Sequence, residues 1–171
     1  LNQGIVELGD RLGPILWQFM PTKMFDEADF GGFLDLLPKT HGGLKLRHCV
    51  EVRNASFVDP KFVRMCRERG VAICVSENEN YPLISDITAD FVYSRLLMGS
   101  DKIETGYVAE DLDAWAERFG EYSKGRVPGD LAPIDRTGPA EGPHETFVFF
   151  IHEGKVRAPA AAQELLKRVN R

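Results

Sequence analysis

Five short apolar runs set among segments of helical period restrict this chain to a parallel α/β architecture. Gly13 to Phe19 (GPILWQF), Leu46 to Arg53, Val71 to Val75 (VAICV), Phe91 to Leu97 and Phe147 to Ile151 have the length and the β-branched or aromatic content of buried strands. Elsewhere the apolar residues recur every three or four positions. Phe30, Phe33, Leu34 and Leu37 do so after a cap at Asp26 and before Pro38. Phe62, Val63 and Cys66 do so between Asp59-Pro60, which opens a helix, and Gly70, which closes it. Leu112, Trp115, Ala116 and Phe119 mark a third helix, and Leu165, Leu166 and Val169 mark a fourth within Pro159 to Val169. Alternating strands and helices joined by short turns imply βαβ units, because a parallel strand needs a crossover to return the chain to the same edge. Strands this uniformly apolar suit a sheet covered on both faces.

The remaining composition bounds the function classes. At 171 residues, with 43% hydrophobic and 27% charged residues, the chain suits one globular domain spanning 1–171. A net charge of -5 and a pI near 5.4 argue against a nucleic-acid partner. Nothing approaches the roughly 18 to 20 apolar residues that cross a bilayer, and Leu1 to Arg11 lacks the pattern of a signal peptide, so no membrane partner and a cytoplasmic location are expected, although the chain does not begin with Met. The oligomeric state is not legible. Cys49, Cys66 and Cys74 read as small buried hydrophobes, and neither they nor His41, His48, His144 and His152 share a metal-ligand spacing. No metal is expected, and no cofactor is indicated. The segment 124–145 holds four Gly and four Pro among charges without apolar period, the pattern of a mobile insertion.

Neither G-x-G-x-x-G nor G-x-x-x-x-G-K-[ST] occurs, so the phosphate loops of common open-sheet nucleotide binders are missing, and five strands fit either an open sheet or part of a barrel. Chemistry in such folds gathers at the carboxyl ends of the strands. There, HCVEVRNASF (48–57) places Glu51 and Arg53 two residues apart on one face, a guanidinium able to hold an oxyanion beside a carboxylate able to accept a hydroxyl or act as a base. Arg95 repeats this on another strand, with Tyr93 two residues earlier. Gln18 ends the first strand and can both donate and accept. Trp17, facing the other way, belongs to the core beneath the helices. Glu77 and Asp86 flank a polar turn, and Glu77 is a candidate partner carboxylate for Glu51. His152 follows the last strand, and Gly154 to Arg157 before the final helix is a candidate anion cradle. For each charged group the competing reading is an ion pair that orders a strand end.

Four segments in order, LGPILWQFMP (12–21), HCVEVRNASF (48–57), TADFVYSRLLMG (88–99) and FVFFIHEGKVRAPAAA (147–162), resemble the YecE-like family, domain of unknown function seventy-two. Gln18, Glu51, Arg53, Ser56, Arg95 and Gly99 match its motifs. Met20, Asn54, Leu97-Met98 and Ile151-His152 depart from them, and two motif histidines are thereby replaced. The resemblance implies a TIM-like (β/α) barrel with its pocket at the strand carboxyl ends, of which this chain supplies strands four to eight with the N-terminal units missing. Catalytic roles are then expected for Glu51, Arg53 and Arg95, and ligand contacts for Gln18, Ser56, Glu77, Tyr93 and His152. A small anionic or sugar-like ligand is the expected partner. The alternative is a non-catalytic interaction or regulatory barrel whose pocket charges are structural.

Overall fold

The computed structural model describes residues 4–138, 142–151 and 156–170. In chain order the elements are β1 (Ile15–Gln18), α1 (Glu27–Asp35), β2 (Thr40–His41), β3 (Leu44–Lys45), β4 (His48–Glu51), α2 (Pro60–Arg69), β5 (Ala72–Glu77), β6 (Phe91–Leu96), α3 (Ala109–Tyr122), β7 (Glu145–Phe150) and α4 (Ala158–Val169). Five of the strands form one parallel sheet in the order β1-β4-β5-β6-β7, a half-barrel backed by the helices. The small antiparallel hairpin of β2 and β3 was not anticipated. It turns through Gly42 and Gly43, both at positive φ.

Local chemistry sets the helix ends. The Asp26 carboxylate accepts from the Asp29 amide, and Asp59 accepts from Lys61 while Pro60 supplies the preset φ of the first turn. Gly70 ends α2 in the left-handed region, at φ 65° and ψ 31°. No atom stands within 4 Å of where its Cβ would lie, so Gly70→Ala meets only backbone strain. It should cost about 1 kcal/mol, read as a lower urea midpoint at unchanged slope.

The strands alternate cleanly between two faces. On the outer face Val50, Ile73 and Ile84 pack with Phe30, Phe57 and Phe62 of the α1–α2 side, whose rings meet edge to face with centroids 5.0–5.4 Å apart. Val75, Val92 and Leu96 pack with Leu112, Trp115, Phe119 and Leu165 of α3 and α4. The inner face carries Leu16, Cys49, Ala72, Cys74, Phe91, Tyr93 and Phe147. All three cysteines are buried free thiols.

One crossover breaks the expected alternation. No helix connects β5 to β6; residues 78–90 instead run back along the outer face, with Ile84 in one apolar cluster and Ile87 in the other. The Thr88 hydroxyl donates to the Val71 carbonyl (2.7 Å) and accepts from the Ile73 amide (3.1 Å), and the Tyr122 hydroxyl donates to the Ser85 carbonyl (3.0 Å). Over this strap lies part of the segment read as a mobile insertion. Among its described residues no helix or strand occurs before Glu145, yet Val127, Leu131 and Ile134 pack on the core. The buried Asp86 carboxylate accepts from the Ile134 and Asp135 amides (both 2.8 Å), and Arg67 donates to Asp135 (3.2 Å). The middle of the segment is therefore anchored in the space that a crossover helix would cover.

These anchors carry a pH dependence. Hydrogen bonds from Thr137, with Arg67 nearby, hold the Asp135 carboxyl below its ordinary value of 3.8. Arg126 and Lys124 hold Glu121 at about 2, below its ordinary 4.5. A carboxylate whose pKa is depressed on folding stabilises the fold above its unfolded value and loses that contribution as pH falls through the folded one. The urea midpoint should therefore drop as pH is lowered from about 4.5 toward 2, and Glu121→Gln should flatten part of that slope.

Candidate functional site

The alternation of faces brings one inward residue from each strand to the carboxyl end of the half-barrel. These are Gln18 on β1, Glu51 on β4, Ser76 on β5, Arg95 on β6 and Phe149 on β7. Gln18 stands in register with Glu51, Ser76 with Arg95, and Arg95 with Phe149. Arg53 stands two residues beyond the end of β4.

Glu51 is the centre of this row. It is only 1% exposed, and both its oxygens are engaged: Arg53 Nε donates to Oε1 (3.1 Å) and Arg95 Nη1 donates to Oε2. The same Arg95 nitrogen donates to Gln18 Oε1 (2.9 Å). Arg53 also lies over the Tyr81 ring, its guanidinium carbon 4.9 Å from the centroid. The two arginine side chains remain 18% and 11% exposed, so their outer edges are wet while the carboxylate is dry. One carboxylate and two guanidiniums sum to a charge of +1 at the mouth of the half-barrel.

Below Arg95 on the same face, Tyr93 is 6% exposed and stacks on Phe149 with centroids 4.7 Å apart. Burial, together with the neighbouring Cys49 and Cys74 thiols, pushes its hydroxyl up to about 12, so it stands as a neutral phenol.

Gln18, Glu51, Arg53 and Arg95 are thus brought together, with Tyr93 beneath them. Ser56 and Glu77 are not. The Ser56 hydroxyl accepts from the Phe25 amide (2.8 Å) and ties the β1–α1 loop to the turn at Ala55–Phe57. Asn54 caps that turn through the Ser56 amide and donates to the Pro21 carbonyl (2.8 Å). Glu77 ends β5 on the outer face, where it accepts from Tyr107 (2.7 Å), Trp115 (2.6 Å) and the Met98 amide (3.2 Å). The suggested Glu51–Glu77 pair does not form, because adjacent positions on a strand face opposite ways: Ser76, not Glu77, shares the inner face. Gly99 belongs to the same outer network, since a Cβ there would stand 2.8 Å from the Tyr107 ring. His152, Gly154 and Lys155 lie outside the described residues.

Sequence reasoning singled out neither Ser76 nor Phe149 in the row, nor Tyr81 beside it. The third strand was ended at Val75, one residue before Ser76, although continuing the inner alternation from Cys74 reaches it. Tyr81 sits in a connection without period, and no sequence signal places its ring under Arg53. Two cavities, of about 750 and 520 Å³, lie away from the row, one between α3, α4 and β7 and one at the opposite end of the sheet beside Lys39, Arg69 and Asp90. Among the described residues no group of three or more His, Cys, Asp or Glu side chains is placed to hold a metal, and no helix is long and apolar enough to cross a membrane.

Residues 1–171 match a protein family described as "Protein of unknown function DUF72". Two solved structures of that family have the same fold. A protein of Thermotoga maritima MSB8 is 20% identical with a TM-score of 0.62, over 94% of this chain and 57% of that one. A protein of Enterococcus faecalis V583 is 15% identical with a TM-score of 0.64, over 95% and 62% respectively. The chain therefore spans about 60% of the length of these relatives. No curated protein matches it.

Proposed function

The chain belongs to the DUF72 family, and from that starting point we propose that the row of strand ends binds a small anionic or hydroxylated molecule. The observation that carries this reading is the convergence of Arg53 and Arg95 on the buried Glu51. A single buried carboxylate cannot neutralise two guanidiniums, and the excess positive charge faces the open end of the half-barrel. Glu51 acts here as a positioning residue, because both its oxygens already accept from arginine. Arg53, Arg95 and Gln18 supply the contacts to the ligand, with Tyr93 as a neutral wall below.

A panel of sugar phosphates and hydroxylated carboxylates tests the proposal by thermal shift. A compound present at a hundredfold excess over its Kd should stabilise the chain by about 2.7 kcal/mol, a rise of roughly 5–10 °C in Tm. Arg53→Met should remove most of that rise, and added salt should reduce it. No rise for any compound, or an equal rise in Arg53→Met, rejects the proposal for that panel.

One observation favours a second reading. Every acceptor oxygen of Glu51 and Gln18 is already taken by an arginine, with Arg95 bonded to both residues, as in the structural network of a non-catalytic interaction or regulatory barrel. On that reading Arg53→Met lowers the stability of the free protein and leaves every ligand response flat.

A further inference from the structure

Ser76 is the one member of the row whose polar group has no partner among the described residues. It is 1% exposed, and no described protein group lies within hydrogen-bonding reach of its hydroxyl. An orphaned buried hydroxyl costs about 1–3 kcal/mol, and a lone one at the centre of a polar row points to a contact made only when something else is bound. Its position is central: β5 lies between β4 and β6, so the Glu51–Arg95 bond spans the strand that carries Ser76, and Ser76 stands level with Arg95.

The arginines around it are half used. Arg53 spends Nε on Glu51, leaving its Nη1–Nη2 edge; Arg95 spends Nη1 on Glu51 and Gln18, leaving its Nε–Nη2 edge. Both side chains keep some exposure, 18% for Arg53 and 11% for Arg95, so solvent reaches these guanidiniums. A two-nitrogen guanidinium edge matches the two oxygens of a carboxylate or phosphate.

We infer that the site takes the oxyanion group of its ligand on these two free edges, with the Ser76 hydroxyl as a third donor group. The inference rests on the ligand-site reading above and deepens it by naming the group recognised. Gln18 is the neutral partner that yields: an oxyanion drawing the Arg95 guanidinium toward itself releases Gln18 and uncovers Ser76.

The test titrates the full chain with inorganic phosphate and, separately, with lactate at constant ionic strength, with chloride as control and glycerol as a neutral hydroxylated probe. Binding of either oxyanion, a three- to tenfold weaker Kd in Ser76→Ala, recovery in Ser76→Thr, and loss in Arg95→Gln support the inference. Ser94→Ala removes an outer-face hydroxyl bonded to the Val75 carbonyl and should leave Kd unchanged. An unchanged Kd in Ser76→Ala with loss in Arg95→Gln overturns the role of Ser76 and leaves the site reading standing. Binding of glycerol but neither oxyanion overturns the oxyanion assignment alone. Binding of none of the three overturns both.

Discussion

Glu51→Ala should destabilise the fold by about 3 kcal/mol, the largest effect expected from any single residue of the row. The substitution removes an acceptor that is 1% exposed and leaves two guanidiniums side by side with nothing between them. Removing one partner of a buried pair typically costs about 3–5 kcal/mol. The lower figure applies because both arginines keep a wet edge on which to recover hydration. Glu51→Gln keeps the shape and one acceptor oxygen, so its loss should be smaller. Replacing Glu51, Arg53 and Arg95 together by Leu, Met and Met removes every charge and should restore much of the stability lost in Glu51→Ala, as apolar substitutes do for other buried ion networks. Urea denaturation of the three variants decides the matter. A loss below about 1 kcal/mol in Glu51→Ala would mean that the cluster behaves as a solvated surface pair.

The second large effect is expected at Asp86, which lies far from the row. Its carboxylate is fully buried and accepts from two consecutive backbone amides, Ile134 and Asp135, while Arg67 approaches to 3.9 Å. Hydrogen bonds to a charged group contribute about 1.5–3 kcal/mol each, so Asp86→Ala should cost roughly 3 kcal/mol after relaxation of the exposed segment. Ile134 would also lose its hold on the apolar cluster it packs against. Native-state hydrogen exchange distinguishes this from a general loss of stability: the amides of Ile134 and Asp135 should exchange far faster in Asp86→Ala, while those of β4 and β5 change only with global stability. Equal acceleration throughout would show that Asp86 supports the core rather than the segment.

Asp86 also marks where sequence reasoning stopped. Its neighbours Glu77, Asn78 and Asn80 read as a polar turn, and the run between Val75 and Phe91 carries too few apolar residues at any period to announce a buried path. Yet Ile84 and Ile87 each enter a different core cluster, and Ser85, Asp86 and Thr88 are all buried. Such a strap is held by side-chain bonds to distant backbone, Thr88 to Val71 and Tyr122 to Ser85, and bonds of that kind have no local signature. Val127, Leu131 and Ile134 recur at helical spacing, but Pro128, Gly129 and Pro133 set among them forbid the helix that such spacing would announce, and their partial burial is hidden with it.

The row of strand ends was legible in part, for a definite reason. Strand alternation has a period of two, so once β4 and β6 are recognised, Glu51 must share a face with Cys49 and Arg95 with Tyr93. That is decided along the chain. Glu77, read as part of a polar turn, instead ends β5 at even spacing from Ile73 and Val75, so the same rule sets it on their face and away from Glu51.

The sequence by itself determined the architecture: five apolar runs and the helices among them can bury their surfaces only as a parallel sheet covered by helices, and capping residues such as Asp26, Asp59 and Gly70 set their limits. Only the tertiary structure decided which charges meet. Arg95 reaches Glu51 across an intervening strand, Tyr81 lies under Arg53, and Glu77 spends itself on Tyr107 and Trp115. These pairings join residues many positions apart and depend on strand order and register, which no local pattern of apolar residues encodes.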